Sequence, residues 1–337
     1  MATIGTAVTL QDFKSRLDDD NRIDMIIDLL TDQNEVLEDM LWLECNQVTS
    51  HKTTVRTGLP TVTWRKLNQG VPSSKSTTRQ TLASCGMLES YGKVDKALAD
   101  LNGNSAAWRM SEESAYIEAF NQELASTLFQ GDTEANPEEF LGLNYYYDTP
   151  SSDEDLSGYN MIDGGAADGQ NDTTSIWLIC WGQNTVHGIY PKGSPAGLQV
   201  RDLGEDTLTD DNGNEYQGYR THYKWDCGLV VRDWRAVGRI VNIDMTAVAA
   251  GTYDIINQMV RLEERVRKMG STNCAWYMNK SLRTYLRLRA LNNASSQLTF
   301  DTVAGKRVLA FGEYPVRVAD GIIKTEAANT GTDFAYV

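Results

Sequence analysis

The sequence predicts an α+β fold with helices and antiparallel strands in separate blocks. Three observations carry this. Apolar residues recur at helical spacing only within residues 11–45, 111–130, 253–269 and 280–291. The stretches between them are rich in Thr, Ser, Val and aromatic residues and are punctuated by Gly and Pro. Strand and helix patterns do not alternate as regular βαβ units. At 337 residues the chain is long enough for about two or three domains and can bury roughly three quarters of its unfolded surface.

Each element has a local reason. Residues 11–45 read as helix, with Leu30, Val36, Leu37, Met40, Leu41 and Leu43 forming a stripe and Asp18 to Asn21 supplying caps before Ile23. Residues 46–93 lose that period. Segments 48–55, 61–66 and 77–82 read as strands, broken at Gly58, Pro60, Gly70 and Pro72. This long hairpin has almost no apolar face of its own. An isolated hairpin is marginal in water, so it is expected to lie on another subunit. Residues 111–130 are the clearest helix: Ser111 as cap, Glu112 and Glu113 in the first turn, Gly131 at the end. Its stripe is Tyr116, Ile117, Phe120, Leu124 and Leu128.

Residues 131–172 read as acidic surface loop around one short helix. Strands follow at 175–181, 186–190, 218–225 and 229–233, with a tight-turn signal at Asp211-Asn212-Gly213. Two basic amphipathic helices follow at 253–269 and 280–291, the second capped by Asn279. Strands at 306–311 and 315–318 close the ordered part, and the last dozen residues read as loose.

Charge is segregated along the chain. Residues 1–44 hold 11 acids and 3 bases; residues 45–88 hold six bases and no acid; residues 110–191 hold 15 acids and no base; residues 261–289 hold eight bases and two acids. The hairpin bases are Lys52, Arg56, Arg65, Lys66, Lys75 and Arg79. Such blocks can pair across copies of one chain and set register. A nucleic-acid patch is the weaker reading, because Trp64 is the one stacking side chain of residues 45–88 and the chain carries a net charge of −15. No apolar run approaches the ~20 residues of a membrane helix. The N-terminus has neither the basic nor the apolar region of a secretory signal. The five cysteines are scattered, which fits reduced thiols and predicts neither a disulfide framework nor a zinc site.

Catalytic patterns fail one by one. His51, His187 and His222 have no Cys or His at ligand spacing. Gly193-Ser194-Pro195-Ala196-Gly197 puts serine directly after the first glycine, so it is no nucleophile elbow. The glycine-rich run 163–169 lacks a phosphate lysine. Asp210-x-Asn212-x-Asn214 starts like a calcium loop but has Glu215 where glycine is required and Thr221 where glutamate is required. Paired carboxylates such as Glu138-Glu139 are too abundant for any pair to stand out. No catalytic residue, cofactor site or metal site is expected, and the chain does not read as an enzyme.

Several stretches resemble the short-tailed-phage branch of the Hong-Kong-97-like major capsid proteins of tailed bacteriophages. They are Thr63-Trp64-Arg65-Lys66-Leu67-Asn68-Gln69-Gly70, Asn136-Pro137-Glu138-Glu139-Phe140, Gly218 to Trp225 with Leu229 to Arg235, and Trp276-Tyr277-Met278-Asn279. The resemblance runs over nearly the whole chain, in order. It implies an N-arm at 1–45 and an E-loop at 46–93. It implies a P-domain at 94–245, with spine helix 111–130, an antiparallel sheet and a protruding hairpin 204–218. It implies a mainly A-domain segment at 246–337. The strand pair 218–245 precedes the helices assigned to the A-domain, so strand order is expected to depart from the parent fold.

Functionally the resemblance implies a structural virion protein. It would self-assemble into hexamers and pentamers of an icosahedral head around double-stranded DNA, without sequence-specific binding and without a membrane. Scaffolding, portal and decoration proteins are the implied partners, a separate scaffold being inferred from the start at Met1 without a coiled-coil prodomain. Assembly is implied in the host bacterial cytoplasm. The six hairpin bases are expected to contact Glu112, Glu113, Glu118, Glu138 and Glu139 of a neighbour. Nothing marks a partner for a lysine–asparagine crosslink, so none is expected. An acidic, β-rich, carbohydrate-binding virion module is the alternative reading, and a carboxylate-based hydrolase the third.

Overall fold

The computed structural model describes Asp32 and residues 34–100, 105–167, 170–210, 212–267, 273–292, 298–303 and 306–328. The expected helix over 11–31 and its caps lie outside the described residues. The chain runs β1 (Trp42–Glu44), β2 (Ser50–Gly58), β3 (Thr77–Ser84), β4 (Gly86–Asp95), α1 (Ser105–Gln130), β5 (Met161–Asp163) and β6 (Thr173–Trp181). It continues through β7 (Val186–Tyr190), β8 (Gln199–Thr209), β9 (Glu215–Val231), β10 (Val237–Asp244) and α2 (Ile255–Arg265). The last part is β11 (Asn273–Met278), α3 (Lys280–Asn292), β12 (Leu298–Val303), β13 (Lys306–Phe311) and β14 (Tyr314–Val318).

One large sheet organises the molecule, with β6 near its middle. β6 pairs antiparallel with β10 and β11, and touches β7 in parallel at Trp181 and Val186. Because side chains alternate across a strand, β6 feeds two cores. Trp177, Ile179 and Trp181 join Leu124, Leu128 and Phe129 of α1 on one face. Ile176, Leu178 and Cys180 join Met259 and Leu262 of α2 and Leu282 and Leu286 of α3 on the other. The sheet is thus covered by helices on both faces. β11 and β14, from the segment 246–337, lie in this same sheet.

The first half of β9 leaves this body and is flanked by β4 and β8, forming an outer three-stranded layer. The N-terminal half of α1 lies over it, with Tyr116 stacked on Tyr223 at 5.0 Å between ring centroids. The hairpin β2–β3 is a separate two-stranded sheet.

Several expectations need correction. Residues 42–44 form a strand rather than helix, because they add to β7 in parallel. The helix over 36–39 is a single turn. Residues 61–66 have strand composition but no pairing partner, and adopt no strand. α1 begins six residues before Ser111, so Ser111 is interior and is not its cap. Ile117 falls on the solvent side of α1, whereas Phe120, Leu124 and Leu128 are buried. Residues 218–233 are not two strands: β9 is continuous through Gly228. That glycine marks a crossing, since a Cβ there would lie 2.7 Å from the Ser84 carbonyl oxygen. The first strand of the hairpin expected over 204–218 begins at Gln199.

The acidic 131–172 segment is more than surface loop, because Phe140, Leu143 and Tyr147 are core residues. Cys180 and Cys274 face each other across β6 and β11 and form a disulfide, against the expectation of reduced thiols throughout. The last dozen residues are not all loose. Glu326 is buried, pairs with Arg239 at 3.1 Å, and Arg239 also donates to the Tyr147 carbonyl at 2.8 Å.

Candidate assembly interface

The hairpin β2–β3 projects from a defined root. There Cys45, Ala83, Ile189 and Val230 form a small apolar cluster with Cys85 against it. The backbone is tied down on both sides: Cys45 N–H donates to the Tyr190 carbonyl at 2.9 Å and Cys85 N–H to the Thr49 carbonyl at 3.1 Å. His51 of β2 meets His187 of β7 edge-on, 5.7 Å between centroids. His187 is fully buried. Burial, then the neighbouring His51 and Arg232, lower its pKa to about 4, and the Gly182 backbone offsets this only in part. His51 is shifted down as well, by burial and by Arg232. These histidines hold neutral imidazoles at a packing site.

Beyond the root the arm loses internal support. Thr53 and Thr81 share a hydroxyl hydrogen bond at 2.7 Å across the strands, one of the few side-chain ties. Every residue from 59 to 75 is exposed. The tip is held by its own turn: Arg65 Nε donates to the Gln69 carbonyl at 3.1 Å and Ser74 Oγ to the Thr61 carbonyl at 2.8 Å. Leu59, Val62, Trp64 and Leu67 all point into solvent, Val62 and Leu67 at 93% and Trp64 at 102% relative exposure. A monomer leaves few large apolar groups so bare without a partner for them. Sequence reasoning named the tip's charges and missed this apolar set. Trp64 and Val62 inside a hairpin segment with no apolar face to pack on were the available signal.

The six bases are all exposed. They do not share one face. Lys52 and Arg56 lie on one side of the hairpin and Arg79, opposite Val55, on the other. Arg65, Lys66 and Lys75 ring the tip. None of the six meets an acid of its own chain among the described residues.

The acidic residues lie elsewhere. Glu113 lines a small cavity between α1 and the outer sheet, with Arg109, Tyr116, Tyr219 and Tyr223. Glu118 accepts from the Asp32 N–H at 2.9 Å and from Gln122 at 3.0 Å. Glu139 accepts from Asn136 at 2.9 Å, and Glu138 is exposed. The Glu138–Phe140 backbone packs against Gly86, close to the hairpin root rather than its tip. Glu112 is in α1, with its side chain outside the described set.

Other segregated charge is consumed within the chain. Glu35 pairs with Arg317 at 3.3 Å and Arg283 at 3.7 Å, and Asp39 with Arg317 at 3.1 Å. Arg265 donates to the Tyr159 carbonyl at 2.8 Å. The outer sheet carries a ladder of Arg109–Asp202 at 2.6 Å, Arg220–Asp206 at 3.3 Å and Lys96–Glu205. Asp210 accepts from the Asn212 and Asn214 N–H groups, which closes a turn. Among the described residues no group of His, Cys, Asp or Glu is placed to hold a metal ion. No helix among them is long and apolar enough to cross a membrane.

The two-faced sheet, the long helix across it and the projecting arm form an α+β architecture, and its likeness to a solved phage capsid chain makes it one of the Hong-Kong-97-like class. The model of the family "Major capsid protein GP7" matches residues 18–330, and the chain belongs to that family. It is similar to a chain of bacteriophage Epsilon15, with 35% identity and a TM-score of 0.77, covering 98% of this chain and 100% of that one. Weaker likenesses include the bacteriophage JBD30 capsid (10% identity, TM-score 0.49, 87% and 92% covered). Another is the capsid of a native GTA particle (10%, 0.46, 70% and 99%). No curated protein matches the sequence. The protein is therefore a structural component of the virion and not an enzyme, and the family replaces the carbohydrate-binding and hydrolase readings.

Proposed function

We propose that copies of this chain form hexamers and pentamers that close into an icosahedral shell around double-stranded DNA. The carrying observation is the arm: its apolar tip and six bases are exposed, and the six bases meet no acid among the described residues. In the proposed overlap, the arm of one subunit lies on the acidic surface of the next, formed by α1 and residues 131–172. Trp64, Leu59, Val62 and Leu67 supply buried apolar area, at roughly 25 cal/mol per Å². Arg56, Arg65 and Arg79 supply orientation against Glu113, Glu118, Glu138 and Glu139. Individually small terms become large when repeated through a closed lattice.

The division proposed is N-arm 1–45, E-loop 46–93, P-domain 94–245 and mainly A-domain 246–337. Scaffolding, portal and possible decoration proteins are proposed partners, and the host cytoplasm the place of assembly. DNA is enclosed rather than gripped, consistent with the chain's net charge of −15.

Replacing Arg56, Arg65 and Arg79 together with Glu tests the overlap. Electron microscopy and size exclusion should show folded single subunits or small rings and no shells. Normal shells from this variant would refute the overlap.

A further inference from the structure

Cys45 and Cys85 flank the arm at its base, one just after β1 and the other between β3 and β4. Their sulfurs are 3.5 Å apart, one thiol donating to the other. Both are free. The walls around them are apolar, from Ala83, Ile189 and Val230. The third free thiol, Cys227, sits on β9 opposite Gly86. Both backbones at this point are held by main-chain hydrogen bonds to β7 and to the start of the hairpin. A bond here needs the two sulfurs to close by about 1.5 Å. The arm itself shares no strand pairing with the main sheet, so its root is where the arm's orientation is set.

We propose that Cys45 and Cys85 are a disulfide-forming pair that staples the root of the arm once the particle meets an oxidising medium. The loop so closed spans the whole hairpin. A virion passes from a host, where thiols are kept reduced, to an exterior where disulfides persist. Reduced, the root is held by packing and hydrogen bonds alone and the arm can adjust. Oxidised, β1 and the start of β4 are joined and the arm's base is fixed against β7 and β9.

The reaction is thiol–disulfide exchange with a small-molecule disulfide. The thiolate of Cys85, the more exposed of the two, attacks one sulfur of glutathione disulfide and expels a glutathione thiolate. The thiolate of Cys45 then attacks Sγ of Cys85 and expels the second. One S–S bond is broken and one formed. The two cysteine protons end on the two glutathiones, and two electrons pass from the protein to the small disulfide. Burial keeps both protein thiols protonated, which makes the exchange slow and keeps the pair from reacting prematurely.

The test uses the full chain, reduced, desalted, exposed to glutathione disulfide, then alkylated and digested for mass spectrometry. The expected product is a Cys45–Cys85 linked peptide, lost on reduction. Amide exchange of residues 51–53 and 81–84 should slow by about tenfold in the oxidised wild type, and not in Cys85→Ser under the same treatment. Alkylation of both cysteines after oxidation, a Cys85–Cys227 link, or a glutathione adduct left on Cys85 would overturn the pairing. Equal exchange rates in linked and reduced wild-type protein would overturn the stapling role. The primary readout is on wild-type protein, so misfolding of the variant cannot hide the answer.

Discussion

Acidification should loosen the arm's root through one side chain. His187 is fully buried on β7 and its pKa is lowered to about 4, chiefly by burial, against 6.5 in an exposed imidazole. A pKa lowered on folding means that the unfolded chain binds the proton more readily. Between pH 6.5 and about 4 the unfolded state therefore carries more proton, and stability falls as pH falls through that window. Integrating the two titrations gives a loss of about 2 kcal/mol between pH 7 and pH 5, and about 3 kcal/mol once pH is below 4. Neither ring nitrogen meets hydrogen-bond geometry with a described residue, so His187→Leu removes the titration at small packing cost. The assay is urea unfolding of wild type and His187→Leu at pH 7 and pH 5. Wild type should lose about 2 kcal/mol more than the variant over that interval. Parallel losses would refute the reasoning, because the remaining groups, His51 included, are common to both proteins.

Three further outcomes follow from the packing. Trp64→Ala should leave the subunit's unfolding free energy within about 0.5 kcal/mol, because the indole is not buried by any described residue, while shell yield collapses in electron micrographs. Leu128→Ala should cost about 2–5 kcal/mol in denaturant unfolding, since that side chain is fully buried between α1 and the sheet. Arg239→Met should cost about 3–5 kcal/mol by stranding the buried Glu326 carboxylate, and a loss under about 1 kcal/mol would show that the pair contributes little.

Where a signal is local, it could be read from the sequence. Asn279 caps α3 as expected, accepting from the Leu282 N–H at 3.1 Å. The Asp210 turn, with Gly213 at φ +85°, follows from residue types alone. α1 ends at Gly131, where a Cβ would meet the Phe140 carbonyl oxygen at 2.4 Å. What depends on register was not legible. Cys180 and Cys274 are 94 residues apart, and only the pairing of β6 with β11 brings them together. Cys45 and Cys85 meet for the same kind of reason. Residues 61–66 show the converse: β-forming composition reflects a fit to neighbours, and without a neighbouring strand it yields none.

Charge segregation proved legible as a pattern and ambiguous as to use. The acids of the N-terminal block are partly spent inside the subunit, where Glu35 and Asp39 hold Arg283 and Arg317. The basic helices likewise turn guanidinium groups onto carbonyls of their own chain, as Arg265 and Arg289 do. The arm differs from both. Among the described residues its bases find no acid and its large apolar groups find no core, and the strands beneath them pair with each other rather than with the sheet. Among the described residues nothing covers Trp64, although the same residues bury both faces of β6. Exposure of that kind is costly to a lone subunit and useful to one that always has neighbours. The arm is therefore where an assembly mutation should separate most cleanly from a folding mutation.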